Sequence, residues 1–308
     1  MSAKAHRKLF TMRLPATTAN LGPAFDAAAL AFKLFLNVRA QAAQDFSVTA
    51  RGRDSALCSQ LENHLILNTY RDVLAAEKRP VVPIALQIDN QIPLGKGCGS
   101  SAAARLAGIA LAVHFGRLRW NDNRIIGEAS VREHHPDNAS ACWLGGLTVA
   151  RMSSDGIAQV ARFLPKGKWP LLLAVPNESL PTEEARHVLP ASYPRPDVVN
   201  NIQNSMLLLC AFMHGRHELL ASALSDRIHQ PYRAPLCPLL PALATLPTDT
   251  GILGTALSGA GPSVLIFLDG RANVSRVRLR VKAHLAAAGR TAELISTAIE
   301  ARGASKIL

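Results

Sequence analysis

Three alternating glycines, two serines and an alanine-rich helix form a segment suited to binding phosphate. It reads P-L-G-K-G-C-G-S-S-A-A-A over residues 93–104. Glycine lets the backbone approach a ligand closely, and a helix N-terminus offers unpaired N–H groups with a partial positive charge. The spacing matches neither a Walker P-loop nor a dinucleotide fingerprint. A glycine-rich turn that only caps a buried helix is the alternative. The candidate phosphate contacts are Pro93, Gly95, Lys96, Gly97, Cys98, Gly99, Ser100 and Ser101.

A carboxylate followed by two histidines stands at the end of a predicted helix, in the sequence E-H-H-P-D-N over residues 133–138. Phosphoryl transfer needs Mg²⁺ beside the phosphate oxygens, and Mg²⁺ takes few, oxygen-bearing ligands from a protein. Glu133 together with Ser100 or Ser101 can supply such ligands. A rival interpretation makes the two adjacent histidines transition-metal ligands. We disfavour it, because neighbouring side chains point in different directions and the H-E-x-x-H spacing is absent.

Two further segments combine small residues with polar ones. Residues 15–26 read P-A-T-T-A-N-L-G-P-A-F-D, and they are predicted to form a loop after a strand. Asn20 and Asp26 in this loop can bind an amino acid, since a carboxylate is a natural partner for an ammonium. Residues 254–263 read G-T-A-L-S-G-A-G-P-S and predict a tight loop between two strands. Turns that bond only their own backbone are the alternative for both segments.

These three segments resemble the three motifs of the GHMP kinases, the group of galacto-, homoserine, mevalonate and phosphomevalonate kinases. Residues 93–104 resemble the ATP-binding signature P-x-x-x-G-[LIV]-G-S-S-A-A. Residues 15–26 resemble the form that the homoserine kinase branch has, and residues 254–263 resemble the third motif. The motifs stand in family order over almost the whole chain. Chance agreement of all three is far less probable than any single alternative.

The resemblance implies transfer of the γ-phosphate of ATP to the hydroxyl of L-homoserine, with Mg²⁺ as cofactor. The implied catalytic residues are Glu133, Ser100 and Asn138, and the implied metal ligands are Glu133, Ser100 and Ser101. Asn63, Gly259 and Gly261 are added to the ATP contacts. The implied substrate contacts are Asn20, Asp26, His135, Asp137, Thr182, Arg186 and Arg233, and the two arginines can bind a carboxylate bidentately. Since Asn138 stands where other branches have an aspartate, we predict no dedicated side-chain base.

Three positions depart from the family pattern. Cys98 replaces a leucine and keeps a small apolar side chain. Ala24 replaces a glycine, which predicts a backbone that needs no positive φ there. His134 replaces a second glycine and leaves the local backbone geometry open.

The pattern of apolar residues predicts an α+β protein. The resemblance implies two domains. Residues 1–155 would form an N-terminal α/β sandwich with a left-handed βαβ-type ATP site, and residues 156–308 a C-terminal ferredoxin-like α+β sandwich. Strands are predicted at 10–14, 37–40, 46–50, 82–89, 146–151, 169–175, 251–257 and 263–268. Helices are predicted at 102–115, 122–133, 198–213, 217–224 and 271–288. The turn-rich stretch 153–167 suggests the boundary.

Composition limits the remaining classes. The 308 residues are 48% hydrophobic and 18% charged, enough for a sizeable core. Five widely spaced cysteines without a C-x-x-C pair predict reduced, mostly buried thiols. No apolar run is long enough to span a membrane, and the basic start of the chain lacks the apolar stretch of a secretory signal, so we expect a cytoplasmic protein.

The net charge of +12 raises the question of nucleic acid. The densest basic stretch, residues 276–282, is better explained as the solvated face of a helix, and no nucleic-acid motif accompanies it. We therefore expect small-molecule substrates, no nucleic acid and no membrane, with a homodimer left open. A kinase of another small alcohol, or a member that binds nucleotide without turnover, remains an alternative.

Overall fold

A computed structural model describes residues 9–153, 156–247 and 251–304. Two β-sheets and their helices make up an α+β architecture, as predicted. The strands are β1 Phe10–Asn20, β2 Ala24–Ala42, β3 Ser47–Gly52, β4 Ile84–Asn90, β5 Leu147–Met152, β6 Ala158–Phe163, β7 Pro170–Val175, β8 Ile252–Leu257, β9 Val264–Leu268 and β10 Glu293–Ala298. The α-helices are α1 Ser55–Cys58, α2 Leu65–Ala76, α3 Ser100–Phe115, α4 Asp122–Glu133, α5 Asp137–Leu144, α6 Thr182–His187, α7 Arg195–His214, α8 Leu220–Ala223, α9 Gln230–Arg233, α10 Leu239–Ala244 and α11 Val274–Ala287.

The first sheet has the strand order β3-β4-β2-β5-β6, and β1 also pairs with β2. The 19-residue β2 is central and pairs antiparallel with β1, β4 and β5. β3 and β4 lie parallel and are joined through α1 and α2, so the expected βαβ crossover is present. In β1, Phe10, Met12 and Leu14 are buried while Thr11 and Arg13 are exposed, which is the period of two expected of a strand.

The sequence predicted a loop after a strand for residues 15–26, and this prediction is wrong. β1 continues to Asn20, and β2 begins at Ala24. The reversal takes only three residues, because Asn20, Leu21 and Gly22 all have positive φ values of 71°, 45° and 80°. Ala24 is not among the positive-φ residues, so alanine fits where the family has glycine. The tight reversal places the polar groups of this segment at the end of a buried sheet.

The helices were predicted with uneven success. α4 has the predicted bounds, and Asn121 caps it by accepting a hydrogen bond from the N–H of Arg124. α3 starts two residues earlier than predicted and ends at Phe115, with Gly116 as its C-cap, as expected. The single helix expected at 217–224 is a 3₁₀ turn followed by the short α8. α5 was not predicted, because its eight residues are too few to show a clear helical period.

The second sheet is antiparallel throughout, in the order β10-β7-β9-β8. With helices between β7 and β8 and with α11 between β9 and β10, this is the expected ferredoxin-like arrangement. Leu171 and Leu173 of β7 face the core shared with the first sheet and α7. Leu172 and Ala174 face a second core under α10 and α11. The basic residues of α11 lie on its exposed side, as predicted.

The domain boundary after residue 155 remains a prediction. It conflicts with the strand pairing, because β6 follows this boundary and yet belongs to the first sheet. β6 pairs with β5, so the first sheet continues to Phe163 and the second begins at Pro170. β6 was not predicted from the sequence, because turn residues precede it. Residues 154 and 155 themselves lie outside the described residues. The largest core contains both Phe32 and Phe267, so apolar packing is continuous between the two halves.

The composition also led to expectations about the cysteines, membrane spans and the start of the chain. All five cysteines are free, and three of them are buried. Among the described residues, no helix has both the length and the apolar character needed to cross a bilayer. The basic start of the chain, with Lys4, Arg7 and Lys8, lies outside the described residues.

His134 follows α4 in the left-handed region, with φ of 66° and ψ of 11°. Glycine adopts this conformation without the clash of a Cβ atom, and helices commonly end on such a residue. The departure from the family glycine therefore keeps the backbone shape and adds local strain. The carboxylate of Glu133 is positioned just before this strained residue.

We expect His134→Gly to raise the free energy of unfolding by roughly 0.5–1 kcal/mol, because it removes the left-handed strain at a small entropic cost. Urea unfolding measures the change. Val131→Gly, at an exposed position of α4, is the control and should lower stability by roughly 0.3–0.5 kcal/mol. A glycine at 134 that leaves stability unchanged or lower would contradict this explanation.

Candidate active site

A cavity of about 550 Å³ lies between the two sheets, where the three small-residue segments meet. Residues from the turn 95–101, from the segment 133–138 and from the loop 259–260 line its wall. One end of the cavity is polar and the other apolar. A cavity of this size is typical of a site for a small molecule.

The glycine turn packs directly against both other segments. The hydroxyl of Ser258 donates to the carbonyl of Gly97 at 2.7 Å, and the N–H of Thr17 donates to the carbonyl of Cys98 at 3.1 Å. A Cβ atom at Gly97 would lie 2.1 Å from the carbonyl oxygen of Ser258, and one at Gly99 would lie 1.9 Å from the hydroxyl of Thr17. Any larger residue at either glycine would therefore displace a neighbouring segment.

Helix α3 begins at this turn without a side-chain cap. Gly99 takes the N-cap position with φ of 69°, and no acidic residue occupies the first turn. Ser100 and Ser101 line the cavity. The first N–H groups of α3, together with the positive end of its dipole, are therefore available to an anion in the cavity.

Glu133 lies beside this helix start. Its Oε1 accepts a hydrogen bond from the hydroxyl of Ser101 and another from Nε of Arg105, each at 2.6 Å. The predicted convergence of Glu133 on the serine pair is present, and the contact is made by Ser101. Oε2 of Glu133 accepts no hydrogen bond from the described residues. A carboxylate and a hydroxyl at an anion-binding helix start are the hard oxygen donors that Mg²⁺ takes, so these residues fit the metal.

Arg105 was not singled out by the sequence analysis. It lies four residues after Ser101, so both project from one face of α3, and this spacing was a signal that could have been used. Its guanidinium forms an ion pair with Glu133, and the Glu133 side chain is only 9% exposed. Because the pair is largely shielded from water, Arg105 neutralises a good part of the Glu133 charge.

Opposite charges are already paired at the polar end of the cavity. Asp26 accepts two hydrogen bonds from Arg186, at 3.0 and 2.8 Å. His135 and Asp137 are buried and bonded to each other, with Nδ1 and Oδ1 2.7 Å apart. Ligand atoms of Asp26, His135 and Asp137 lie within 4.8 Å of one another. Burial alone would lower the pKa of His135, but its bond to Asp137 and the nearby carboxylates raise that pKa above its usual value.

Arg233 is fully buried beside this cluster. Its Nε donates to the carbonyl of Ala185 at 2.8 Å, and Nη1 lies 3.2 Å from Nδ1 of His229. Burial lowers the pKa of His229 to about 4, so the ring is neutral at pH 7. Its Nε2–H donates to the carbonyl of Gly22 at 2.8 Å, which leaves Nδ1 to accept from Arg233. The neutral imidazole thus orients the buried guanidinium of Arg233, which lines the cavity.

Two asparagines of the site have defined orientations. The amide of Asn20 donates to the carbonyl of Gly259 at 2.8 Å and accepts from the N–H of Asp26 at 2.9 Å, so both its groups are used by the backbone. The hydroxyl of Thr17 donates to Oδ1 of Asn138 at 2.7 Å. The Nδ2 group of Asn138 therefore remains as a donor. An amide cannot accept a proton usefully at neutral pH, and the absence of a dedicated side-chain base stays a prediction.

The apolar end of the cavity lies over α2 and β4, with Ile66 and Ile88 in its wall. Asn63 also lines it, in the left-handed region with φ of 53°. Asn63 does not cap α2, because His64 is the cap and its side chain accepts a hydrogen bond from the N–H of Leu67. A flat aromatic base suits such a wall.

Nearly all the predicted site residues line this one cavity. The exceptions are Pro93, Lys96 and Gly261. The ammonium of Lys96 donates to the carbonyl of Asn177, and burial lowers the pKa of Lys96. Gly261 packs against the thiol of Cys237 in the second core. Phosphate contacts by these three residues therefore find no support in the geometry. The members that line the cavity are Asn20, Asp26, Asn63, Gly95, Gly97, Cys98, Gly99, Ser100, Ser101, Glu133, His135, Asp137, Asn138, Thr182, Arg186, Arg233 and Gly259.

Comparison with known proteins places the chain among relatives. A model of the GHMP kinases N terminal domain matches residues 64–146, and a model of the GHMP kinases C terminal domain matches residues 208–287. The chain belongs to the GHMP kinase family. A homoserine kinase from Solibacter usitatus is 42% identical over 266 residues, which are 86% of this chain and 87% of that protein.

Other relatives extend the likeness. A homoserine kinase from Desulfitobacterium hafniense is 34% identical over 96% of this GHMP kinase and 99% of its own length. The crystal structure of a homoserine kinase from Cytophaga hutchinsonii superposes with a TM-score of 0.82, at 21% identity, over 98% of both chains. This structural likeness shows that the fold is shared along the whole chain.

Arg105→Met removes the positive charge beside Glu133 and keeps an unbranched side chain. The freed carboxylate should attract divalent cations, so we expect the nucleotide-free variant to bind Mn²⁺ at least about tenfold more tightly than the wild type. Electron paramagnetic resonance of free Mn²⁺ measures this. Arg71→Met is the matched control, because Arg71 stacks on Phe46 and forms no ion pair among the described residues. Equal Mn²⁺ affinity in both variants would show that Arg105 does not neutralise Glu133.

Proposed function

We propose that the protein phosphorylates the hydroxyl of L-homoserine with ATP and releases O-phospho-L-homoserine. The observation that carries the proposal is the placement of two complementary sites in one cavity. An anion-binding helix start with the Glu133–Ser101 pair faces a polar end that contains both an acid and arginines. The first arrangement suits a triphosphate, and the second suits an alcohol that is also an amino acid. The family and the named relatives support the same reaction.

The charge pair at the polar end suggests how the amino acid binds. Without substrate, Asp26 and Arg186 neutralise each other. The ammonium and carboxylate of homoserine carry the same two charges, so the substrate can bind Asp26 through one group and Arg186 or Arg233 through the other. An alcohol without these charges would break the Asp26–Arg186 ion pair and would offer neither residue a charged group in return. The site therefore discriminates by charge.

The chain's own residues act on the phosphates by binding and orientation. The N–H groups at the start of α3 hold phosphate oxygens, and Nδ2 of Asn138 donates to the reacting oxygens. Mg²⁺, held by Glu133 and Ser101, would neutralise charge on the phosphate oxygens. We predict no dedicated side-chain base, so the hydroxyl proton would leave late, to the phosphate itself. The family resemblance also suggests a cytoplasmic reaction in threonine biosynthesis.

Release of ADP, measured by a coupled assay, tests the proposal. We expect turnover with L-homoserine. Removal of either charged group, in 4-hydroxybutanoate or 3-aminopropan-1-ol, should lower kcat/KM at least about 100-fold, because each loses a charge-assisted contact. Mevalonate, shikimate and galactose are the control alcohols. Turnover of any of these above that of homoserine, or ATP binding without turnover of any alcohol, would contradict the proposal.

Glu133 and Asn138 should contribute unequally. We expect Glu133→Gln to lower kcat at least about 1,000-fold, because it removes the charged ligand beside the phosphates. Asn138→Ala removes one neutral hydrogen-bond donor and should lower kcat only about tenfold. Steady-state kinetics with saturating substrates measure both. An equal collapse of kcat in the two variants would indicate that Asn138 has a proton-transfer role.

A further inference from the structure

The side chain of Phe25 lies beside the polar end of the cavity, against residues that shape this end. Phe25 directly precedes Asp26 near the start of β2, and it is partly buried. Its ring stacks on the imidazole of His229, with the ring centroids 5.2 Å apart and the planes inclined by 26°. Phe25 itself does not line the cavity. Any effect that it has on a substrate is therefore exerted through the residues that it contacts.

Two arginines of the cavity share the ring of Phe25. The guanidinium carbon of Arg233 lies 5.3 Å from the ring centroid, and that of Arg186 lies 5.6 Å from it. Both distances fall within the roughly 6 Å over which the negative face of an aromatic ring attracts a cation. The ring therefore attracts both guanidinium groups to one place.

These two guanidinium groups repel each other. Burial lowers the pKa of Arg233, and the positive charge of Arg186 lowers it further. Two cations side by side offer a carboxylate several charge-assisted hydrogen bonds, provided that their repulsion does not drive them apart. The ring of Phe25 attracts both cations and has no hydrogen-bonding group, so it does not compete with a carboxylate for their N–H groups.

Binding of an amino acid makes the ring more important for Arg186. In the free protein, Arg186 donates two hydrogen bonds to Asp26. When the substrate ammonium binds Asp26, these bonds change partner, and the contact with Phe25 remains. The side chain of Arg186 is 34% exposed, so without the ring it could turn into the solvent and away from Arg233.

We propose that Phe25 is the positioning residue for the substrate carboxylate, and that its ring keeps Arg186 and Arg233 side by side against their repulsion so that one carboxylate binds both. This inference rests on the proposed function, because it assigns the two arginines to the carboxylate of the amino acid. Phe25 thereby contributes to the choice of an amino acid over an alcohol without a carboxylate.

Steady-state kinetics of Phe25→Leu test the proposal, because leucine stays apolar but has no aromatic face. We expect KM for L-homoserine to rise at least about tenfold, with kcat and KM for ATP within about threefold of the wild type, since the phosphate site is unchanged. Phe25→Tyr keeps the ring and should hold KM for L-homoserine within about threefold of the wild type. An unchanged KM for L-homoserine in Phe25→Leu, or a tyrosine variant as impaired as the leucine variant, would overturn the proposal.

A second substrate separates positioning of the arginines from a general structural role. 3-Aminopropan-1-ol has the ammonium and the hydroxyl of homoserine but no carboxylate. We expect its kcat/KM to change less than about twofold in Phe25→Leu, while that of L-homoserine falls at least about tenfold. An equal fall for both substrates would show that the variant damages the site as a whole, and it would contradict the proposal.

Phe46→Leu is the matched control. The guanidinium carbon of Arg71 lies 4.3 Å from the ring centroid of Phe46, and Phe46 does not line the cavity. This variant therefore makes the same substitution and also removes a cation–ring contact. It should keep kcat and KM for both substrates within about twofold of the wild type.

The contact with the ring can also be measured without a substrate. The Nε–H of Arg233 donates to the buried carbonyl side of Ala185 at 2.8 Å, which protects it from exchange and makes it visible in ¹H–¹⁵N spectra. Phe25→Leu should shift this signal, which is assigned by its loss in Arg233→Lys, and Phe46→Leu should leave it in place. A wild type that turns over no homoserine would contradict the proposed function alone. An Arg233 signal that Phe25→Leu does not move would overturn the positioning by Phe25.

Discussion

The structure depends on the close approach of three backbone segments at Gly97 and Gly99. At these two glycines there is no room for a Cβ atom, since the carbonyl of Ser258 and the hydroxyl of Thr17 occupy that space. Residues 17, 99 and 258 are far apart in the sequence, and the fold brings them together at the start of α3. The N-terminal end of α3, the proposed phosphate site, is fixed in position by this packing. Preorganisation of this kind lets fixed dipoles act on charge without a cost of rearrangement.

An arginine is paired with a carboxylate at each end of the cavity. At the start of α3, Arg105 neutralises a carboxylate that faces the expected phosphates. At the polar end, Arg186 neutralises Asp26. Within each pair the two charges offset each other, and each carboxylate can exchange its arginine for a charged group of a substrate. Buried charges without a partner would be costly, so paired charges make a polar cavity compatible with folding.

The sequence predicted which residues line the cavity better than it predicted their geometry. The glycine turn, its helix and Glu133 were predicted because small residues and a helix start have a local cause that can be read from spacing. The extended β1 and the turn after Asn20 were not predicted. The side chain of Asn20, which has a positive φ, bonds the carbonyl of Gly259 from a distant part of the chain, and the local sequence does not show this contact.

The direction of individual side chains was the second property that was hard to predict from the sequence. Lys96 was expected at the phosphates but bonds the carbonyl of Asn177, because the second half of the chain supplies an acceptor that the local sequence does not show. Conversely, Arg105 was overlooked although its position one helical turn after Ser101 predicts their shared face. The strand β6 was missed because its pairing with β5, rather than its own pattern, stabilises it.

A crystal structure of the protein with a non-hydrolysable ATP analogue, Mg²⁺ and L-homoserine tests the account most directly. We expect phosphate oxygens within hydrogen-bonding distance of the N–H groups of Ser100 and Ser101, beside the carboxylate of Glu133. The amino acid should lie between Asp26 and the two arginines. Phosphates bound elsewhere, with the start of α3 and Glu133 free of ligand, would contradict the central claim.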